Sequence, residues 1–191
     1  MEEKEAAGTE KEEKANSWLR ELWGFVKIII VSLVIVLPIR AYIVQPFIVR
    51  GDSMKPTYYQ GEYLVIDEFS YHIRGPRRGE IVVFRYPQNP SQYFIKRIVG
   101  LPRERVEVRN GEVYIVNEEY PDGIVLDEPY LQEGVFSSPD TILMLDEKEY
   151  FVMGDNRYQS SDSRFWGALD SRFIVGRAWL RLWPIARASV L

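Results

Sequence analysis

From Leu22 to Val44 the chain runs for 23 residues with only two charges, Lys27 and Arg40, near its ends. At 1.5 Å per residue a helix of that length crosses a hydrocarbon core of about 30 Å, and both charged side chains can reach the headgroups. Between Ile28 and Ile39 only Ser32 is polar. A core helix would need just one apolar stripe, so a run that is greasy on every face suits lipid better. Trp18 and Trp23 before it, and Tyr42 and Phe47 after it, stand where interfacial aromatics collect. A cleaved export signal would want a basic start, a shorter apolar stretch and small residues at its end. Here the start is acidic and the run ends in Arg40-Ala41-Tyr42. The expectation is one retained transmembrane helix over residues 18–45.

The flanks follow from this. Residues 1–17, MEEKEAAGTEKEEKANS, carry almost no large apolar side chain. They cannot bury enough surface to offset chain entropy, so a disordered acidic tail is expected. Lys11, Lys14, Arg20 and Lys27 on the near side outnumber Arg40, Arg50 and Lys55 on the far side. That excess, though narrow, puts the tail in the cytoplasm and residues 46–191 outside it. A net charge of −4 argues against a nucleic-acid partner, which needs a basic face to neutralise phosphates. With no cysteine and a single histidine, His72, disulfides, thiolate nucleophiles and Cys-zinc sites are excluded, and a His-based zinc site is not expected. No metal and no cofactor is predicted.

The extracytoplasmic part reads as strands. EYLVIDEF (62–69), EIVVFRYP (80–87) and QYFIKRIVG (92–100) are short β-branched and aromatic runs bounded by Gly and Pro. RVEVRNGEVYIV (105–116) is a hairpin, with Asn110-Gly111 supplying the two left-handed turn residues. TILMLD, EYFVMGD and RFIVGRAWLRLW follow. No helical period of useful length occurs after the membrane segment. The stretch from about 107 to 148, rich in Asp, Glu, Pro and Ser, reads as a peripheral insertion. A mostly β domain results.

Three stretches carry chemistry. The first is GDSMKPT, Gly51 to Thr57. Its Arg50-Gly51-Asp52 tripeptide resembles an adhesion string, but three residues match too often by chance to carry weight. If Ser53 is a nucleophile, it needs a base to take its proton. His72 sits in SYHIRGPRRGE, which reads as a Gly/Pro/Arg-rich surface loop. Lysine is the other known partner for serine. Of seven lysines, Lys4, Lys11, Lys14 and Lys27 precede or enter the membrane run; Lys148 lies between acids that favour its charge; Lys55 sits in a solvated Pro turn. Lys96, in YFIKRIVGLP, shares a strand face with Phe94 and Ile98 while Arg97 points the other way. Held among apolar side chains, its ammonium loses hydration and its pKa falls. An amine that snorkels past the strand edge is equally compatible with the composition. The third stretch is MGDNRYQSSDSRFWG, Met153 to Gly167, whose packed Arg, Asp and Ser residues suggest a buried, ion-paired turn.

In that order after one membrane helix, these motifs resemble the bacterial type I signal peptidases, and GEYLVID and GEIVVFRYP also fit that family's pattern. The likeness spans the helix and most of the soluble part; the insertion is only loosely covered. It implies a signal-peptidase-like β-fold catalytic domain with a peripheral β insertion. By the same resemblance Ser53 falls on the nucleophile and Lys96 on the general base. Ser160 falls on the serine that hydrogen-bonds the lysine, and Asp162 and Arg164 on the pair that braces the site. Phe47, Val49 and Ile95 fall where pockets for small side chains are lined. The Ser53 N–H would be one oxyanion donor. Some members carry a serine two residues before the nucleophile as the second donor; here, as in other members, that position is Gly51.

The resemblance further implies a membrane-anchored serine endopeptidase of a bacterial cell membrane, single-pass and acting as a monomer. Its partners would be secretory precursor proteins and lipid. It would cut signal peptides after small residues, of Ala-X-Ala type, through an acyl-enzyme. Trp179, Leu180 and Trp183 would rest on the lipid surface or pack in the core. Two rivals remain. A self-cleaving repressor-type peptidase would need a DNA-binding domain where this chain has its membrane run. A membrane-anchored binding module would be indifferent to loss of Ser53 and Lys96.

Overall fold

The computed structural model describes residue 18 and residues 20–36 and 44–190. The expected tail over 1–17 and the far part of the expected membrane span, 37–43, lie outside the described residues. The chain divides into two units at residues 43 and 44. In the first, residues 20–36 form helix α1. Its apolar side chains stay uncovered by protein, with Phe25 67%, Ile28 64% and Val34 65% exposed. At 1.5 Å per residue the described turns cover roughly 25 Å, short of a hydrocarbon core. Among the described residues no helix is long and apolar enough to cross a membrane.

The second unit is built from antiparallel strands. The main sheet has the order β1 (Val44–Ile48), β2 (Tyr63–Asp67), β11 (Ile174–Trp183), β3 (Ile81–Tyr86), β4 (Asn89–Gly100), β9 (Glu149–Met153), β10 (Leu169–Asp170), with β12 (Ser189–Val190) on β11. Strand β1 begins inside the expected membrane span, so Val44 and Gln45 are extended rather than helical. Pro46 accounts for this, since the residue before a proline avoids the helical region and proline itself is tolerated on an edge strand. Between β2 and β3, one turn of helix, α2 (Ser70–Ile73), carries His72 exposed. A second single turn, α3 (Ser163–Trp166), follows β9. Both are too short to show a helical period in the sequence.

The stretch read as an insertion carries a second sheet, ordered β7 (Ile124–Val125), β6 (Glu112–Val116), β5 (Arg105–Arg109), β8 (Thr141–Met144). Arg109 opposes Glu112 across the hairpin, leaving Asn110 (φ 52°) and Gly111 (φ 86°) as its turn. This sheet is not merely peripheral: Val106, Val108, Val113, Ile115 and Leu145 form one core with Val99, Phe151 and Met153 of the main sheet. A second core gathers Val49, Met54, Tyr58, Leu64, Ile66, Ile81, Val83 and Ala178 beneath β1, β2 and β3. That core fixes where the segment after β1 runs.

Candidate active site

Burial changes along β4, exposed from Asn89 to Tyr93 and buried from Lys96 onward. Lys96 is 4% exposed, and its Nζ lies 5.3 Å from the centre of the Phe94 ring on the same strand face. That Nζ donates to Ser53 Oγ at 2.7 Å and to the Ile95 carbonyl at 3.0 Å. Burial lowers the lysine pKa from 10.5 to about 8, against a smaller opposing pull from the charges of Asp162 and Asp155. So the alternative left open by composition, an amine snorkelling to water, is not the arrangement found.

Ser53 is held from both directions along the chain. Gly51 takes φ +84°, a backbone state that side chains disfavour, and turns the chain out of the strand. Met54, 1% exposed, plugs into the core beside Val49 immediately after the serine. The Ser53 carbonyl accepts from the Asn156 N–H at 2.9 Å, and the Asp52 carbonyl from Asn156 Nδ2 at 3.1 Å. A Cβ on Gly154 would collide with the Ser53 carbonyl and with Ser160 Oγ, so only glycine lets the turn after β9 approach this closely.

The turn is braced by Asp162 and Arg164, both side chains wholly buried. Arg164 donates through Nε and Nη2 to the two carboxylate oxygens, each at 2.8 Å. Asp162 Oδ2 also accepts from the Gly154 N–H at 3.0 Å, tying α3 to the turn. Arg164 reaches the carbonyls of Ser138 at 2.5 Å and Arg157 at 3.0 Å. Ser160 is brought to the same place, 6% exposed, but its Oγ is buried without a hydrogen-bond partner and makes no bond to Lys96. An ammonium has three donors, and Lys96 directs two of them, at Ser53 and Ile95.

Phe47, Val49 and Ile95 line one open groove of about 850 Å³ together with Ser53 and Lys96. One wall is β1 and the chain leading to Ser53; the other is the stretch from Ser91 to Lys96. Strand β1 pairs with β2 alone, and β4 pairs with β9 only from Arg97 onward. Both walls therefore present unpaired backbone to the groove, as a receptor for an extended peptide does. Chemically, the groove sets a hydroxyl against a buried amine whose pKa lies near neutrality, the pairing a serine nucleophile and its base require.

Several residues that support this arrangement were not picked out from the sequence as site residues. Arg97, 9% exposed, donates to Asp155 through Nε at 2.9 Å and Nη2 at 2.6 Å, and lies 3.9 Å from the Tyr130 ring centre. Arg157 pairs with Glu128 and also bonds Ser137. Strand alternation did place Arg97 opposite Lys96, and a buried guanidinium demands an acid; nothing local in sequence names Asp155 as that acid.

A family model described as "Signal peptidase, peptidase S26" matches residues 22–183. The chain is 37% identical over 185 residues to a signal peptidase I of Leptolyngbya laminosa, covering 93% of this chain and 86% of that one. It is 36% identical over 183 residues to a probable signal peptidase I-1 of Synechocystis sp., covering 90% of each. With signal peptidase I P of Bacillus subtilis subsp. natto it shares 32% identity over 188 residues, covering 93% and 95%. On these grounds the chain belongs to the signal peptidases of peptidase family S26, which are serine peptidases.

Proposed function

We propose that this chain is a membrane-anchored signal peptidase I that removes signal peptides from exported precursors with Ser53 as nucleophile and neutral Lys96 as general base. The observation that carries the proposal is the 2.7 Å contact between Lys96 Nζ and Ser53 Oγ, made by a lysine whose burial brings its pKa to about 8. Near neutral pH a usable fraction of that amine is unprotonated. In that state it accepts the Ser53 proton as Oγ attacks the scissile carbonyl. The precursor lies extended between β1 and β4, with small residues, of Ala-X-Ala type, over Phe47, Val49 and Ile95. The tetrahedral oxyanion forms at the Ser53 N–H. Gly51 brings no hydroxyl to it, so the second donor is a different group. Lys96 returns its proton to the leaving amine, an acyl-enzyme remains on Ser53, and the lysine then activates water to release it.

Asp162 and Arg164 act at one remove, holding the Gly154 turn that positions Ser53. Ser160, buried beside that turn, is the group available to the third donor direction of Lys96. The apolar run that begins at residue 22 anchors the enzyme in a bacterial cell membrane with its β domain outside the cytoplasm. Sharing a bilayer with its membrane-bound substrates raises their effective concentration. The test is cleavage of an exported precursor with an Ala-X-Ala end by detergent-solubilised protein, between about pH 6 and 10. The parent's kcat/KM rises with pH through a midpoint at about 8, and Ser53→Ala and Lys96→Ala abolish cleavage. A folded parent that does not cut would instead favour a membrane-anchored binding module.

A further inference from the structure

The wall made by β1 and the chain leading to Ser53 has two faces. Phe47 and Val49 turn toward the core beneath β1, β2 and β3, and Val49 is only 4% exposed. Side chains alternate along an extended chain, so Ile48 and Arg50 stand on the opposite face. Ile48 is 48% exposed, and Arg50 is exposed as well. The backbone alternates in the same way. Val49 directs both its polar groups at the chain beside β2: its N–H donates to the Glu62 carbonyl and its carbonyl accepts from the Gly61 N–H, each at 2.9 Å. Ile48 and Arg50 therefore turn theirs toward the groove. Three charged residues line that groove, Arg50, Asp52 and Lys96. Lys96 is buried against Ser53, and Asp52 is paired with Lys55 at 3.0 Å. Among the described residues, only Arg50 brings to the groove an exposed charge with no partner of opposite sign.

We propose that Arg50 is a specificity-determining residue that reads the charge of the second substrate residue before the scissile bond, favouring Asp or Glu there over Lys or Arg. The inference rests on the signal-peptidase reading above and extends it to the middle, unspecified residue of an Ala-X-Ala end. An extended substrate that sets its first and third residues toward the face of Phe47 and Val49 carries its second on the other face. That is the face of Ile48 and Arg50. A diagonal neighbour across two paired strands lies about 7–8 Å away, within reach of a long side chain. The guanidinium keeps its proton at every pH at which Lys96 titrates, so the preference is independent of the state of the base. An exposed pair of this kind is weak and is screened by salt. It therefore biases the choice among precursors without dictating it.

The experiment uses the full-length parent, Arg50→Gln and Arg50→Glu in an uncharged detergent. Matched precursors carry Glu or Lys at the second position and Ala at the first and third. The quantity read is the ratio of kcat/KM for Glu over Lys, at low and at high salt. In the parent the ratio is about fivefold at low ionic strength and falls toward unity in about 1 M salt. Arg50→Gln brings it to within about twofold of unity, and Arg50→Glu inverts it. A parent ratio near unity at low salt overturns the role of Arg50. So does a preference for Glu that survives unchanged in Arg50→Gln and Arg50→Glu. If Arg50→Glu does not fold, Arg50→Gln and the salt dependence decide. A parent that cleaves neither precursor removes the underlying reading; a parent that cleaves both without regard to charge removes only Arg50.

Discussion

Lys96 and Arg97 are neighbours in sequence, both buried, at 4% and 9% exposure, and they point to opposite faces of β4. Their surroundings differ in one respect. Arg97 is met by a carboxylate, with Asp155 bonded to Nε and Nη2, and by the Gly79 carbonyl at 2.8 Å. Lys96 is met by a hydroxyl, a carbonyl and an aromatic ring, and among the described residues no carboxylate salt-bridges it. Arg157 and Arg164 follow the pattern of Arg97, each paired with an acid. The fold thus gives these buried acids to guanidiniums, which never deprotonate, and withholds a salt bridge from the amine proposed to act by losing its proton. A buried ion pair keeps its charge and makes structure; a buried amine without such a pair becomes a base.

The largest expected effect breaks this contrast at its centre. Lys96→Arg keeps a cation in place but removes the ability to accept a proton, so kcat/KM for precursor cleavage falls by about 10³-fold or more. An active Lys96→Arg enzyme would dispose of the lysine as base. Next, Asp162→Ala strips the partner from Arg164 and leaves a buried, uncompensated charge. Urea unfolding should show a loss of about 3–5 kcal/mol, and a loss below 1 kcal/mol would mean that the pair is not structural. The smallest effect has the opposite sign. Lys96 has a folded pKa of about 8 against 10.5 for the free side chain. Between those values the unfolded chain binds more protons, so the parent's stability rises with pH across that window. Below about 8 the buried ammonium costs the fold about 3 kcal/mol. Lys96→Met should therefore be more stable than the parent by up to that amount near neutrality, with the advantage fading toward pH 10.5. Equal unfolding midpoints at both ends of the window would contradict the lowered pKa.

Local patterns made much of this legible. The alternation in YFIKRIVG set Lys96 among Phe94 and Ile98, and the Asn110-Gly111 pair marked its hairpin, because both signals lie within a few residues. The density of Arg, Asp and Ser after Met153 announced an ion-paired turn, and Asp162 with Arg164 makes one. What could not be read is non-local or short. Asp155 lies 58 residues from Arg97 and Glu128 lies 29 from Arg157; no spacing rule joins such positions. Strands of two residues, such as β7, β10 and β12, carry no period to detect. The polar composition of 107–148 concealed that the hairpin's Val106, Val108, Val113 and Ile115 build a core shared with Val99, Phe151 and Met153.

The clamp of Asn156 on the Ser53 carbonyl has a consequence for the order of events in a newly made molecule. Ser53 and Lys96 are synthesised early, but the turn that aims the serine lies a hundred residues later in the chain. Strand β11, which separates β2 from β3, is later still. Contacts of such long sequence separation form late and slowly, on a scale of milliseconds to seconds. A nascent chain that has emerged only as far as β4 therefore holds both members of the proposed dyad without the means to orient them. Under the proposed mechanism, hydrolytic power would then be switched on only by completion of nearly the whole domain.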